Sequence, residues 1–246
     1  MSCYSNFANI YDGLVKEDID YFKWSEIILD YCNKYKINRM NYLDLACGTG
    51  NITEIIGENF SDVWGVDLSP DMLSECEIKL REKNILGNLI CQDIVELDLS
   101  GKKFDLITCC LDSVNYILEY ENLIEFFNRV CLHLNEGGLF IFDMNSYYKL
   151  SNILGNNTYT YDEEDLFYVW ENVFEEEIVD MYLTFFLKKG ESYNRFDEVH
   201  RERAYREEEI ERAIQKSKLN ILHILDNYEK NYIKDTTERI AYVIGK

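Results

Sequence analysis

Between residues 41 and 145 the chain alternates short runs of consecutive apolar positions with longer runs whose apolar residues return every third or fourth place. The short runs are NYLDLA (41–46), DVWGVD (62–67), NLICQD (88–93), FDLITCC (104–110) and GLFIFD (138–143). Their length, and the β-branched or aromatic residues in most of them, predict buried strands. The longer runs NITEIIGENF, SPDMLSECEIKLREKN and YENLIEFFNRVCLHLN predict helices with one apolar face. Strand and helix in alternation imply a parallel sheet covered by helices on both faces. The sharpest boundary lies at residues 69–71. Ser69 suits an N-cap, Pro70, the only proline, falls at the first helical position, and Asp71 places negative charge beside the N-terminal dipole.

Upstream, residues 7–35 carry apolar positions at helical spacing in their later part, which predicts one or two helices packed before the sheet. Downstream the period changes. Residues 151–204 alternate polar and apolar positions over short segments, with Lys188-Lys189-Gly190-Glu191 as a turn, a pattern of antiparallel hairpins. REEEIERAIQKS then resumes a helix, and LNILHILDNY and TERIAYVIGK predict a final antiparallel strand pair.

At 246 residues and 47% hydrophobic content the chain can bury a full core as one domain with a smaller appendage. A formal net charge of -21 repels polyanions, and the densest basic run, RERAYREEEIER (201–212), is balanced or outnumbered by its own glutamates. A nucleic-acid or anionic-membrane partner is therefore not expected. The eight cysteines form no C-x-x-C pair and several sit in apolar runs, as reduced thiols do. The three histidines show no metal-ligand spacing, so no metal site is expected. Without a signal-peptide pattern or a membrane-length apolar stretch, the expected location is cytoplasmic.

The first predicted strand ends in ACGTGN (46–51). Glycines there allow positive φ and let the backbone approach a ligand without an intervening Cβ. A dinucleotide site asks for a third glycine, where this chain has Thr53, and a P-loop asks for a lysine that is missing. What remains is a ligand with a ribose and a base but no required diphosphate. Asp67, ending the second strand, is placed to accept hydrogen bonds from ribose hydroxyls. Asp93, ending the third, is placed for an exocyclic amine of a base.

LDLACGTG, VWGVDLSPDML, CQDIVEL, FDLITCCLDSVNYI and LNEGGLFIFD resemble, in order and spacing, the successive motifs of class I S-adenosylmethionine-dependent methyltransferases. The resemblance spans about residues 40–145 and extends to the final strand pair; Ala46 stands where many relatives have glycine, and Glu136 replaces a proline common before the glycine pair. It implies that Asp44 and the backbone of Ala46, Cys47, Gly48, Thr49 and Gly50 hold the methionine portion of the cofactor. It further implies Asp67 on the ribose, Leu68 and Met72 on the adenine faces, Asp93 with the Ile94 amide on the adenine edge, and the Leu111 carbonyl on the cofactor's amino group. The segment YDGLVKEDIDYFKW resembles the leading helix of small-molecule methyltransferases, whose aromatics close over the cofactor; Tyr11 and Trp24 are the candidates, with Tyr21 behind them. The expected fold is α/β, a Rossmann-like doubly wound, seven-stranded, mostly parallel sheet with its last strand antiparallel. Residues 1–150 and 205–246 form this core, and 151–204 an antiparallel β lid inserted after the fifth strand.

Methyl transfer from a sulfonium is an in-line displacement that asks the protein chiefly to position a nucleophile, and it yields S-adenosylhomocysteine. In LDSVNY, after the fourth strand, Asp112, Ser113, Asn115 and Tyr116 are candidates to orient an acceptor or take its proton, or else to cap the turn and brace the loop. His200 is the lid residue with a near-neutral reference pKa, about 6.5, and reads either as a base or as a structural strand histidine. Tyr159, Tyr168, Trp170 and Tyr193 read as a pocket wall or as a packing face. The insertion resembles that of glycine and amino-sugar N-methyltransferases, so a small-molecule amine is preferred over a hydroxyl as acceptor, with the protein a monomer or homodimer. The alternatives are a non-catalytic cofactor-binding or sensing protein, a methyltransferase acting on a macromolecule, which lacks support from either a basic surface or an N-P-P-Y-like motif, and a nicotinamide oxidoreductase.

Overall fold

The computed structural model describes residues 19–230 and 232–246. Its first helix, α1 (Tyr21–Tyr35), starts where the Asp20 carboxylate accepts the Lys23 amide and ends on Lys36 in the left-handed region. Then follow β1 (Asn41–Leu45), α2 (Asn51–Gly57), β2 (Asp62–Asp67), α3 (Pro70–Glu82), β3 (Gly87–Cys91), β4 (Phe104–Cys109), α4 (Tyr120–His133) and β5 (Leu134–Asn145). Helix α3 begins as its sequence predicts, with the Ser69 hydroxyl accepting the Met72 amide and Pro70 in the first turn. The chain returns to this unit through α5 (Glu207–Lys216), β10 (Asn220–Asp226) and β11 (Arg239–Gly245).

The seven strands lie in the order β10-β11-β5-β4-β1-β2-β3. β11 is antiparallel to both of its neighbours, and the other pairs are parallel. Strand order reverses between β1 and β4, so a crevice opens at their carboxyl ends. Because β11 runs backwards, its first residue, Arg239, pairs with the last residue of β5, Asn145, at that same edge.

Both sheet faces are buried. On one, Phe140 and Phe142 of β5 and Tyr242 of β11 pack with Phe126 and Phe127 of α4 and Ile210 and Ile214 of α5. Phe142 and Tyr242 stack with centroids 4.8 Å apart. On the other, Leu139, Ile141 and Val243 meet Trp24 and Ile28 of α1 and Ile52 and Ile56 of α2. The two-residue period of β5 and β11 thus serves two cores at once.

β5 is longer than its apolar run because its first bridge, Leu134 to Phe104, forms directly after α4, and the chain then slips out of register before Leu139 pairs with Leu106. Beyond β5 a π-helical turn, Lys149–Leu154, which the sequence did not announce, leads to a second sheet. This sheet is fully antiparallel, in the order β6 (Thr158–Asp162), β7 (Leu166–Glu175), β8 (Ile178–Lys189) and β9 (Ser192–Arg203). The β8–β9 turn falls at Gly190, with φ +64°, as the sequence predicts. One face turns inward, carrying Tyr168, Trp170 and Asn172 of β7, Met181, Leu183 and Phe185 of β8, and Phe196, Glu198, His200 and Glu202 of β9.

Candidate active site

A cavity of about 890 Å³ lies between the carboxyl ends of the parallel strands and the inner face of the second sheet. Its base is the loop after β1. Ala46, Gly48 and Gly50 all have positive φ, at 51°, 54° and 83°, so the backbone coils tightly beneath the cavity. A Cβ at Gly48 would find nothing within 4 Å, whereas one at Gly50 would lie 2.5 Å from the Cys76 sulfur. Gly48 leaves room for a ligand; Gly50 leaves room for α3. Ala46, Cys47, Gly48 and Thr49 line the cavity, and Gly50 instead caps α2.

Two carboxylates hold this loop. Asp44 is buried at the end of β1 and accepts hydroxyl hydrogen bonds from Thr53 at 2.6 Å and Thr108 at 2.7 Å. Burial pushes its carboxyl up to about 6 despite those bonds. Asp67 accepts the Gly48 amide with one oxygen and the Ser69 amide with the other, each at 2.8 Å. Its desolvation, partly offset by these amides, raises its pKa. Asp67 also lines the cavity.

Leu68 is 68% exposed at the rim, and Met72 is buried against Phe185 of the second sheet. Asp93 caps the short turn Ile94–Glu96 by accepting the Val95 amide, and Asp93 and Ile94 both face the cavity.

Opposite, Leu111 and Asp112 occupy consecutive left-handed conformations, at φ 60° and 49°. Such backbone costs on the order of 1 kcal/mol per non-glycine residue and persists only if its surroundings hold it. Asp143 of β5 does so, accepting the Leu111 amide at 2.9 Å and the Asp112 amide at 3.0 Å. Asp143 also accepts the Tyr228 hydroxyl and pairs with Arg239, which reaches on to Asp112 at 2.6 Å.

Arg239 and Lys149 were not singled out by sequence. Lys149 donates to Asn145 Oδ1 and Asn145 Nδ2 donates to Glu202, both at 2.9 Å. Burial lowers the Lys149 pKa, as does neighbouring Arg239, and burial pushes Glu202 up to about 8. Folded Glu202 therefore keeps a proton that the unfolded chain releases above about pH 4.5, so its contribution to stability declines as pH rises from there to about 8. Glu202→Gln should flatten this fall, by at most about 1.4 kcal/mol per pH unit. Urea unfolding at pH 5, 6.5 and 8 reads it; parallel curves for both proteins would contradict it.

The remaining predicted residues separate. Tyr116 and His200 meet over the cavity, with Tyr116 Oη 3.1 Å from His200 Nδ1. Burial lowers the His200 pKa and favours the neutral imidazole, an effect that the Asp112 carboxylate partly opposes. Ser113 lines the cavity but spends its hydroxyl on the Cys110 and Leu111 carbonyls. Asn115 is withdrawn from the cavity, its amide donating to the Asn145 and Arg203 carbonyls and its oxygen accepting the Asn145 amide. It ties the loop after β4 to both sheets. Trp24 does not close over the cavity either. It stacks on Tyr228 at 4.5 Å and faces the Arg239 guanidinium, because the apolar face of α1 is needed against the sheet. Tyr21 is buried beside it, and Tyr11 lies outside the described residues. Of the aromatics in the second sheet, Tyr168 and Trp170 line the cavity, Tyr159 bonds the Ile153 carbonyl, and Tyr193 is 56% exposed.

A family model described as a methyltransferase domain matches residues 43–138. A crystal structure of an S-adenosylmethionine-dependent methyltransferase from Clostridium acetobutylicum ATCC 824 is 51% identical in sequence and superposes with a TM-score of 0.93, the match covering 99% of each chain. The Bacillus subtilis (strain 168) protein YqeM is 29% identical over 99% of this chain and 97% of its own length. The sugar N-methyltransferase KedS8 from Streptoalloteichus sp ATCC 53650 shares the fold, with a TM-score of 0.78 at 20% identity over 96% of this chain and 93% of its own.

The site fits that cofactor. The open space at Gly48, the Asp67 carboxylate in the cavity wall and the apolar side chain of Met72 offer a backbone cradle, a hydroxyl acceptor and an apolar surface along one wall. The chain belongs to the S-adenosylmethionine-dependent methyltransferases, and S-adenosylmethionine is its cofactor.

Proposed function

We propose that the protein methylates the nitrogen of a small-molecule amine, with a hydroxyl acceptor as the second reading. The observation that carries this is the Tyr116–His200 pair, a neutral imidazole held over the cavity by a phenol, across from the loop after β4. An amine reaches the site mainly as an ammonium and must lose a proton to become a nucleophile, which is the service a neutral histidine supplies.

When bound, S-adenosylmethionine supplies a methyl group on positively charged sulfur, and the S–C electron pair stays with sulfur as S-adenosylhomocysteine leaves. By resemblance to the family, Asp44 and the loop from Ala46 to Gly50 hold its methionine portion, Asp67 the ribose, and Leu68, Met72, Asp93 and Ile94 the adenine. The Leu111 carbonyl takes the amino group, at the turn that Asp143 holds. With Nδ1–H donating to Tyr116 Oη, His200 Nε2 is the atom that accepts the acceptor's proton, and Asp112 steadies the resulting imidazolium. The second sheet excludes water from the same space. We place residues 151–204 as the acceptor-binding lid on the core formed by 1–150 and 205–246, working in the cytoplasm as a monomer or homodimer. Among the described residues no helix is long and apolar enough to cross a membrane. The fold shared with a sugar N-methyltransferase supports nitrogen over oxygen, and the net charge of -21 argues against a nucleic-acid substrate.

The test is a screen for S-adenosylhomocysteine formation against amines, alcohols, phenols and carboxylates. Turnover confined to phenols or carboxylates would sink the amine reading, and binding without turnover of any class would favour a cofactor sensor. With an active amine, His200→Asn should lower kcat by about 10²- to 10⁴-fold and leave cofactor affinity unchanged. An unaltered kcat would remove His200 from the chemistry.

A further inference from the structure

The lid carries a row of side chains that the cofactor slot does not use. Register sets Trp170 of β7 beside Leu183 of β8, and Leu183 beside Glu198 of β9. Trp170 and Leu183 line the cavity. Glu198 is only 5% exposed, and its Oε2 has no hydrogen-bond partner among the described residues; nor has the buried indole N–H of Trp170. Two strand spacings, about 10 Å, separate the two strands, with Leu183 between, so the acceptor and the donor do not satisfy each other.

Leaving a buried polar group unpaired costs about 1–3 kcal/mol, and this row does so at both ends. Among the described residues no cation shifts the Glu198 carboxyl. Phe196 and His200 flank it on its own strand, and His200 bonds Tyr116. Burial alone pushes its carboxyl up to about 7. Nearby Glu202 differs, since Asn145 satisfies it.

We infer that the row Trp170–Leu183–Glu198 is the acceptor subsite, where Glu198 accepts the N–H of the acceptor amine and Trp170 donates its indole N–H to an oxygen of the same molecule. This rests on the amine reading and narrows it. The acceptor is a primary or secondary amine that also carries a hydroxyl or carbonyl oxygen, and Leu183 packs on the carbon skeleton between them. A phosphorylated acceptor is disfavoured, because Arg239 and Lys149 already bond Asp112, Asp143 and Asn145.

The test uses pairs of amines that differ by one hydroxyl, such as propylamine with 3-amino-1-propanol and cyclohexylamine with 2-aminocyclohexanol, with S-adenosylhomocysteine release as readout. The hydroxylated member should be the better substrate. Glu198→Gln should lower kcat/KM for it by about 10- to 100-fold, chiefly through KM. Trp170→Phe should lower kcat/KM for the hydroxylated amine and spare its deoxy partner. Calorimetry should find the S-adenosylmethionine Kd within about twofold of wild type in both variants, showing that the fold and cofactor slot persist. Wild-type kcat/KM in Glu198→Gln, or equal losses for both members of a pair in Trp170→Phe, would overturn the subsite while leaving amine methylation standing. Failure of wild type to turn over any amine would overturn both.

Discussion

Arg239→Met should unfold about 3–5 kcal/mol more easily than wild type, because it strands the buried charge of Asp143. Asp143 is 0% exposed and pairs with Arg239 while its oxygens hold the Leu111 and Asp112 amides. Methionine keeps an apolar contact with Trp24 but offers no charge. For a chain of this size the loss corresponds to a fall in Tm of about 6–20 °C. The double variant Arg239→Met/Asp143→Asn should recover part of it, since the orphaned charge goes too, and the coupling in that cycle measures the pair. A melting temperature equal to wild type would show that the pair contributes nothing net.

Asp67→Ala should weaken S-adenosylmethionine binding by about 10³-fold, read by calorimetric titration, because charge-assisted hydrogen bonds contribute about 1.5–3 kcal/mol each. Two such bonds to the ribose hydroxyls give a factor of about that size. The loop adds to it, since the same carboxylate ties down the Gly48 and Ser69 amides, so alanine frees the cradle as well as removing the acceptor. Asp67→Asn, which keeps one oxygen for an amide and forfeits the charge, should fall between the two. Equal affinity in wild type and Asp67→Ala would place the ribose elsewhere.

The core was legible because its signals are local. Ser69 and Pro70 mark one helix start unaided, and the apolar runs that became β1, β2, β3 and β4 are too short to be helices. The glycine loop beneath the cavity was legible for the same reason, as its glycines come just after one strand and Asp67 ends the next. The other half of the site was not. Arg239 reaches Asp112 across 127 positions of sequence only because β11 is reversed, and no spacing rule connects a strand's first residue to a loop that far away. Trp24 and Asn115 carry the residue types of a binding site, yet one is consumed by the face of α1 and the other by three backbone groups. The second sheet was readable as hairpins but not strand by strand. Its β7–β8 turn uses Glu176-Glu177, both at positive φ, where a hairpin turn ordinarily shows asparagine or glycine. Glu198 gave no signal, since an alternating charged residue on a strand reads as the solvent side.

Every residue of β11 is buried, and five of the seven, from Ile240 to Ile244, are apolar on both faces. Polarity therefore gives this strand little means of telling its native alignment from one shifted by a residue, which would exchange the two cores' side chains. Arg239 supplies the distinction: only in the native alignment does its guanidinium meet Asp143 and Asn145, and a slip would bring Ile240 to that position. The ion pair at the edge of the cavity thus also acts as an alignment key for the sheet.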